Sequence, residues 1–129
     1  MGNVDVTFKA FEREKYLSLE TFRKSGQGVP TPVWFVQDGP ALYISTEGSS
    51  GKVKRIRNKG RVNIAPCKVD GELLGEWTPA LAREVSDEIA SCDIDRLFDK
   101  KYGLMKKLFA VASVLRKSKS TFLQLSRIE

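Results

Sequence analysis

Apolar positions along the chain follow two distinct periods. Tyr16-Leu17-Ser18-Leu19-Glu20-Thr21-Phe22 alternates as a half-buried strand does. After a turn at Ser25-Gly26-Gln27-Gly28, the run from Val29 to Gln37 is again β-rich, with Val33, Trp34, Phe35 and Val36. Pro30 and Pro32 have no N–H to give a ladder, so this run begins at an edge, a bulge or a ligand-facing opening. Asp38-Gly39 signals a two-residue hairpin into a strand over Ala41 to Thr46. A further strand is predicted from Arg61 to Val69, turned by Asp70-Gly71 into Glu72 to Val85, and Thr121 to Ile128 alternates as the last.

The helical period appears between and after these strands. Residues 5–14, with Phe8 and Phe11, suit a short amphipathic helix. Val53 and Ile56, three apart, give one buried stripe on a short helix ending near Gly60. Asp87 to Tyr102 offers Ile89, Ile94, Leu97 and Phe98 as an apolar face. Past Gly103, Leu104 to Arg116 repeats the pattern with Leu108, Val111, Ala112 and Leu115. Strands joined by hairpins, one short helix among them and helices before a closing strand predict an α+β fold, a small and mostly antiparallel barrel. No internal repeat or linker divides the chain, so one domain over residues 1–129 is expected.

Composition narrows the chemistry. At 129 residues the chain can bury a core without disulfide or metal staples. It has no histidine, which removes the Ser-His-Asp triad, the Cys-His pair, histidine-bearing zinc sites and histidine haem ligation. Cys67 and Cys92 form no CxxC pair and read as reduced, buried thiols of a cytoplasmic protein; no metal site is expected. The longest apolar stretch, Leu108 to Leu115, falls well short of the roughly 20 residues of a membrane span, and the first residues show no signal-peptide pattern. Chemistry, if there is any, calls for a cofactor.

Charge is concentrated. The net charge is +6, yet Gly51 to Arg61 holds six basic residues and no acid: Lys52, Lys54, Arg55, Arg57, Lys59 and Arg61. Lys100 to Lys119 holds seven more, again with no acid, and the rest of the chain carries 9 basic against 16 acidic residues. Two basic segments on an acidic domain suggest an anionic partner: a phosphorylated cofactor, nucleic acid or an anionic membrane surface. The bland alternative is two solvated helix faces. Nucleic acid is disfavoured, because no aromatics are interleaved with Lys52 to Arg61 as stacking platforms.

The first basic segment opens with Ser45-Thr46-Glu47-Gly48-Ser49-Ser50-Gly51-Lys52, a strand end leading into a helix N-terminus. Hydroxyls, unpaired amides and the positive helix end together favour an anion. It is not a P-loop: Thr46 stands where the first glycine belongs, and Val53 replaces the Ser or Thr.

Three runs, Thr31-Pro32-Val33-Trp34-Phe35-Val36, Leu42-Tyr43-Ile44-Ser45-Thr46 and Ser50-Gly51-Lys52-Val53-Lys54-Arg55-Ile56-Arg57, resemble the split-barrel flavin and deazaflavin oxidoreductases, relatives of pyridoxamine 5′-phosphate oxidase. The likeness continues through Arg61-Val62, Ala65-Pro66-Cys67, Gly75-Glu76-Trp77, Ala82 and Lys101-Tyr102-Gly103 to the last strand. It is strongest to the small branch described as coenzyme F420-dependent. The resemblance implies a six-stranded split barrel, a homodimer with cofactor sites between subunits, and hydride transfer from a deazaflavin to an organic acceptor. It places Pro30, Thr31, Pro32 and Val33 beside the cofactor ring, and Ser45, Thr46, Ser50, Gly51 and Lys52 at its phosphate. Arg55 and Arg57 are expected to meet a longer anionic tail, and Trp77 to stack on the ring or line the interface. Gly51 stands where flavin-type relatives carry the Arg of an Arg-Lys pair. The alternatives on the same fold are an FMN-dependent oxidoreductase and a non-catalytic cofactor or fatty-acid carrier. A small-molecule substrate is expected, but the sequence names neither it nor a proton donor.

Overall fold

The computed structural model describes residues 8–103 and 120–128. Six strands close into an antiparallel barrel: β1 (Tyr16–Phe22), β2 (Gly28–Asp38), β3 (Ala41–Glu47), β4 (Arg61–Cys67), β5 (Thr78–Glu84) and β6 (Ser120–Arg127). Around the barrel the order is β1-β2-β3-β6-β5-β4, with β4 returning to β1. Among the described residues, two helices accompany it, α1 (Gly51–Asn58) and α2 (Glu88–Tyr102), with a 3-10 turn at Lys9–Phe11. Among the described residues, no helix is long and apolar enough to cross a membrane. The segment from Leu104 to Lys119, which carries the second predicted helix and most of the second basic run, lies outside the described residues.

Strand alternation sends one face of each strand inward. Leu17, Leu19, Val33, Phe35, Leu42, Ile44, Val62, Ile64, Leu123 and Leu125 form one buried cluster. Val53 and Ile56 of α1 join that cluster. Burying each is worth about 1.5–3 kcal/mol, enough to hold a helix of only two turns in place. Outside the barrel, Val36 packs with Ile94, Phe98 and Tyr102 of α2, flanked by Trp34, Tyr43 and Phe122.

Several expectations need correction. The return strand begins at Thr78, not Glu72. Asp70-Gly71 does turn the chain, with Gly71 at φ +95 and a Cys67–Leu73 bridge, but Gly75 then lies flat on Pro66 and ladder pairing resumes only at Thr78–Ile64. A side chain at residue 75 would sit 2.9 Å from the Pro66 ring. The β2–β3 turn is Gly39-Pro40, since Asp38 pairs with Ala41; positive φ at Gly39 followed by proline suits a type II′ hairpin. Ile89 is 76% exposed. The apolar face of α2 runs through Ile94, Phe98 and Tyr102 at four-residue spacing, and Ile89 is rotated about 140° from Ile94. Cys67 is buried but Cys92 is exposed, for the same rotational reason. Of the expected N-terminal helix, residues 5–7 lie outside the described residues, and residues 8–14 form only the 3-10 turn, whose Phe11 is buried against Phe35.

Candidate functional site: a strand split beside a basic helix start

Strands β2 and β3 pair only from Phe35–Ile44 to Asp38–Ala41. Before Phe35, β2 pairs with β1 alone; past Ile44, β3 pairs with β6 alone. The two strands therefore part as a V. One arm presents residues 30–34 and the other leads through Ser45 and Thr46 toward α1. On the first arm the prolines fit the ladder: residues 30, 32 and 34 turn their backbone groups to the open edge, where a missing N–H costs nothing. Pro30 and Pro32 are exposed, Thr31 is half-buried and Val33 faces the core.

At the apex, two side chains of α2, Tyr102 and Lys101, hold Phe35. The Tyr102 hydroxyl accepts from Phe35 N–H at 3.0 Å and lies 2.7 Å from the Lys15 carbonyl and 2.8 Å from the Phe35 carbonyl. Lys101 Nζ donates to the Phe35 carbonyl at 2.9 Å and sits 3.6 Å above the Phe35 ring. Trp34 stacks on Tyr102 with centroids 4.4 Å apart. Trp34 thus packs on the outer face, against the cluster formed with α2. Although much of the Lys101 stem is exposed, burial of its ammonium lowers its pKa to about 8.

The second arm ends at the start of α1. Ser50 caps the helix, its side-chain oxygen accepting from Val53 N–H at 3.4 Å, while its own O–H remains able to donate. The amides of Gly51 and Lys52 open the helix without intrahelical partners. Lys52 is half-buried; burial first, and then the nearby Arg55 guanidinium, lower its pKa, with Glu47 opposing. Arg55 folds back so that Nε donates to the buried Thr21 hydroxyl at 2.6 Å. A Cβ on Gly51 would fall 2.7 Å from Arg55 Nη1. The Arg55 guanidinium thus occupies the space beside Gly51, and glycine leaves it room. Two cations thus crowd a capped helix start, an arrangement that an anion relieves.

The structure thus brings Ser45, Thr46, Ser50, Gly51, Lys52 and Arg55 onto one strand-turn-helix unit. Pro30 to Val33 line the facing arm, with Pro30 next in line to the Val29–Thr21 pair. Trp77 does not join them within one chain: it precedes β5 at the end far from α1, about 16 Å of strand from Ala82, which bonds Gly60 beyond that helix. Arg57 does not reach toward a tail, because its guanidinium pairs with both oxygens of Glu84 at 2.5 and 3.0 Å. Arg57→Ala is accordingly expected to leave ligand affinity unchanged in any titration that detects Lys52→Ala. Sequence reasoning missed Thr21 and Tyr102. Thr21 lies 34 positions from Arg55, and no local pattern joins them.

No family model matches the chain, and neither does any curated protein. Solved structures do. HutZ, a heme storage protein from Vibrio cholerae, superposes at TM-score 0.71 with 15% identity over 94% of this chain and 87% of its own. A candidate pyridoxamine 5′-phosphate oxidase from Listeria innocua gives 0.66 at 14% identity, over 94% and 90% of the two chains. An FAD-binding protein from Mesorhizobium loti gives 0.64 at 14%, over 99% and 91%. The chain has the split-barrel fold of the pyridoxamine 5′-phosphate oxidase-like proteins. At such identities the likeness concerns the backbone alone.

Proposed function

We propose that this split barrel binds a phosphorylated flavin-type cofactor, coenzyme F420 in the first reading, and passes its hydride to a small organic acceptor. The observation that carries the proposal is the crowding of Lys52 and Arg55 at the capped start of α1, beside the open edge of β2. The cofactor supplies the hydride when bound. In this reading Ser50, Lys52, Arg55 and the first amides of α1 hold the phosphate, with Ser45 and Thr46 on the approach. The edge from Pro30 to Val33 shapes the ring site, its prolines keeping that edge free of a neighbouring strand. Support for F420 over FMN comes from the sequence resemblance and from cations beyond a single phosphate's reach.

A second reading, FMN, is favoured by one specific observation: Arg55 over Gly51 rebuilds a compact arginine–lysine clamp. Histidine-ligated haem is not a reading open to this chain, which has no histidine. The absorption and mass spectra of whatever copurifies with the native protein test the proposal. A deazaflavin or flavin supports it, and haem in stoichiometric amount contradicts it.

The proposed site is completed across a dimer interface. Val69, Leu73, Leu74 and Trp77 expose apolar surface on the segment between β4 and β5, and Trp77 reaches a cofactor only if a partner subunit offers it. Light scattering is expected to give a mass near twice 14.5 kDa. A monomer throughout the micromolar range would remove Trp77 from the site.

A further inference from the structure

Thr21 is the last inward position of β1, after Leu17 and Leu19, and it is fully buried. A hydroxyl in such a place costs stability unless it is hydrogen-bonded. Its partner is Arg55 on α1, whose Nε donates to Thr21 Oγ1 at 2.6 Å. The other end of that guanidinium lies over Gly51: a Cβ there would stand 2.7 Å from Nη1 and 3.4 Å from Nη2. We propose that Thr21 is the positioning residue of the anion site, holding the Arg55 guanidinium across Gly51 so that its terminal N–H groups are in place for a phosphate. The inference rests on the reading of the α1 start as a phosphate site.

Three features select positioning over a simple tie between α1 and the barrel. The acceptor is neutral, so it fixes one N–H without cancelling the charge of the guanidinium. Arg57, two residues on, shows the contrast, because its guanidinium is engaged by both oxygens of the Glu84 carboxylate. The bond to Thr21 also takes Nε alone. Nη1 and Nη2, an edge of the fork able to grip two phosphate oxygens, are left on the side of the helix start. Glycine at the first helical position disfavours a helix relative to alanine, and here it gives the guanidinium its space. A tie between α1 and β1 needs no such glycine. Thr21 has no exposed surface and cannot touch a ligand itself. It acts through Arg55, removing beforehand the rotational freedom that a long side chain otherwise loses on binding. β-Branching makes Thr21 a stiff anchor for this task.

Thr21→Val removes the acceptor at nearly constant shape, and Thr21→Ser restores it. Fluorescence titration of FMN and F420 into each variant is expected to show Thr21→Val binding about three- to tenfold more weakly, with Thr21→Ser close to wild type. In an Arg55→Ala background, Thr21→Val is expected to cause no further loss, since its effect passes through that side chain. A second readout needs no ligand. The Arg55 guanidinium helps burial to lower the Lys52 pKa while Glu47 opposes, so NMR titration of Lys52 is expected to move upward in Thr21→Val but not in Thr21→Ser. Urea unfolding establishes that Thr21→Val is folded. Should it not be, Gly51→Ala carries the same cycle: it displaces only the flexible end of Arg55, leaves the core untouched and is expected to fold at least as well as wild type. Wild-type affinity in the folded variant, a loss of equal size in the Arg55→Ala background, or an unmoved Lys52 in Thr21→Val would overturn the proposal and leave Thr21 as a fastening of α1. Failure of the wild type to bind either cofactor would instead overturn the cofactor reading. Inorganic pyrophosphate, followed by the Gly51 and Lys52 amide shifts, would then decide the role of Thr21 by the same cycle.

Discussion

Tyr102→Ala is expected to destabilise the fold by about 3–5 kcal/mol, the cost of emptying a buried aromatic site. The ring packs against Trp34 and Phe98, and the hydroxyl ties β1, β2 and α2 together where the barrel splits. Tyr102→Phe separates the two contributions. It keeps the stacking but leaves the buried Phe35 N–H without its acceptor, at about 1–3 kcal/mol. Urea unfolding measures both variants. Wild-type stability in Tyr102→Phe would show that the hydroxyl does not join the strands.

The pH dependence of the same cluster has two opposed parts. Burial raises the Tyr102 phenol, so the folded state keeps a proton that the unfolded chain loses above its ordinary value of 10.0, and stability falls as pH rises past that point. Lys101, lowered from 10.5 to about 8, acts in the other direction: the unfolded chain binds more protons between those values, so this residue makes stability rise with pH across that window. Tyr102→Phe is expected to flatten the first slope, and Lys101→Met the second.

Lys52→Ala is expected to weaken cofactor binding roughly 10- to 150-fold, the loss of a charge-assisted hydrogen bond worth about 1.5–3 kcal/mol. Lys100→Ala, which removes an exposed ammonium on α2, is expected to change affinity little. Equal losses would mean that the basic residues act as a diffuse field and that α1 opens no defined site. The lowered Lys52 pKa adds a pH signature. An anion binds the protonated lysine, so affinity falls as pH rises through the alkaline range, beginning below the ordinary lysine value of 10.5.

Much of this was legible in the sequence because period and turn chemistry agree locally. β1 matches its expected bounds, since seven alternating residues admit one inward face. The two prolines of β2 announced an open edge, and the ladder leaves that edge open. Val53 with Ile56 as the buried stripe of α1 follows from spacing alone. What escaped was set by partners distant in the chain. Arg57 and Arg55 look alike along the helix, yet one meets Glu84 and the other Thr21, and only the folded barrel decides which. Ile89 carries the right chemistry for a core but the wrong angle on α2.

The central claim is that the start of α1 reads the phosphate of a flavin-type cofactor whose acidic tail lies along further cations. Fluorescence titration of the purified protein with F420 and with FMN, at low and high salt, tests it most directly. The account expects saturable binding of both, tighter for F420, with salt weakening F420 more because its outer contacts are solvent-exposed. Comparable affinities with identical salt dependence would contradict the tail and move the assignment to FMN. Saturation by neither would contradict the site itself.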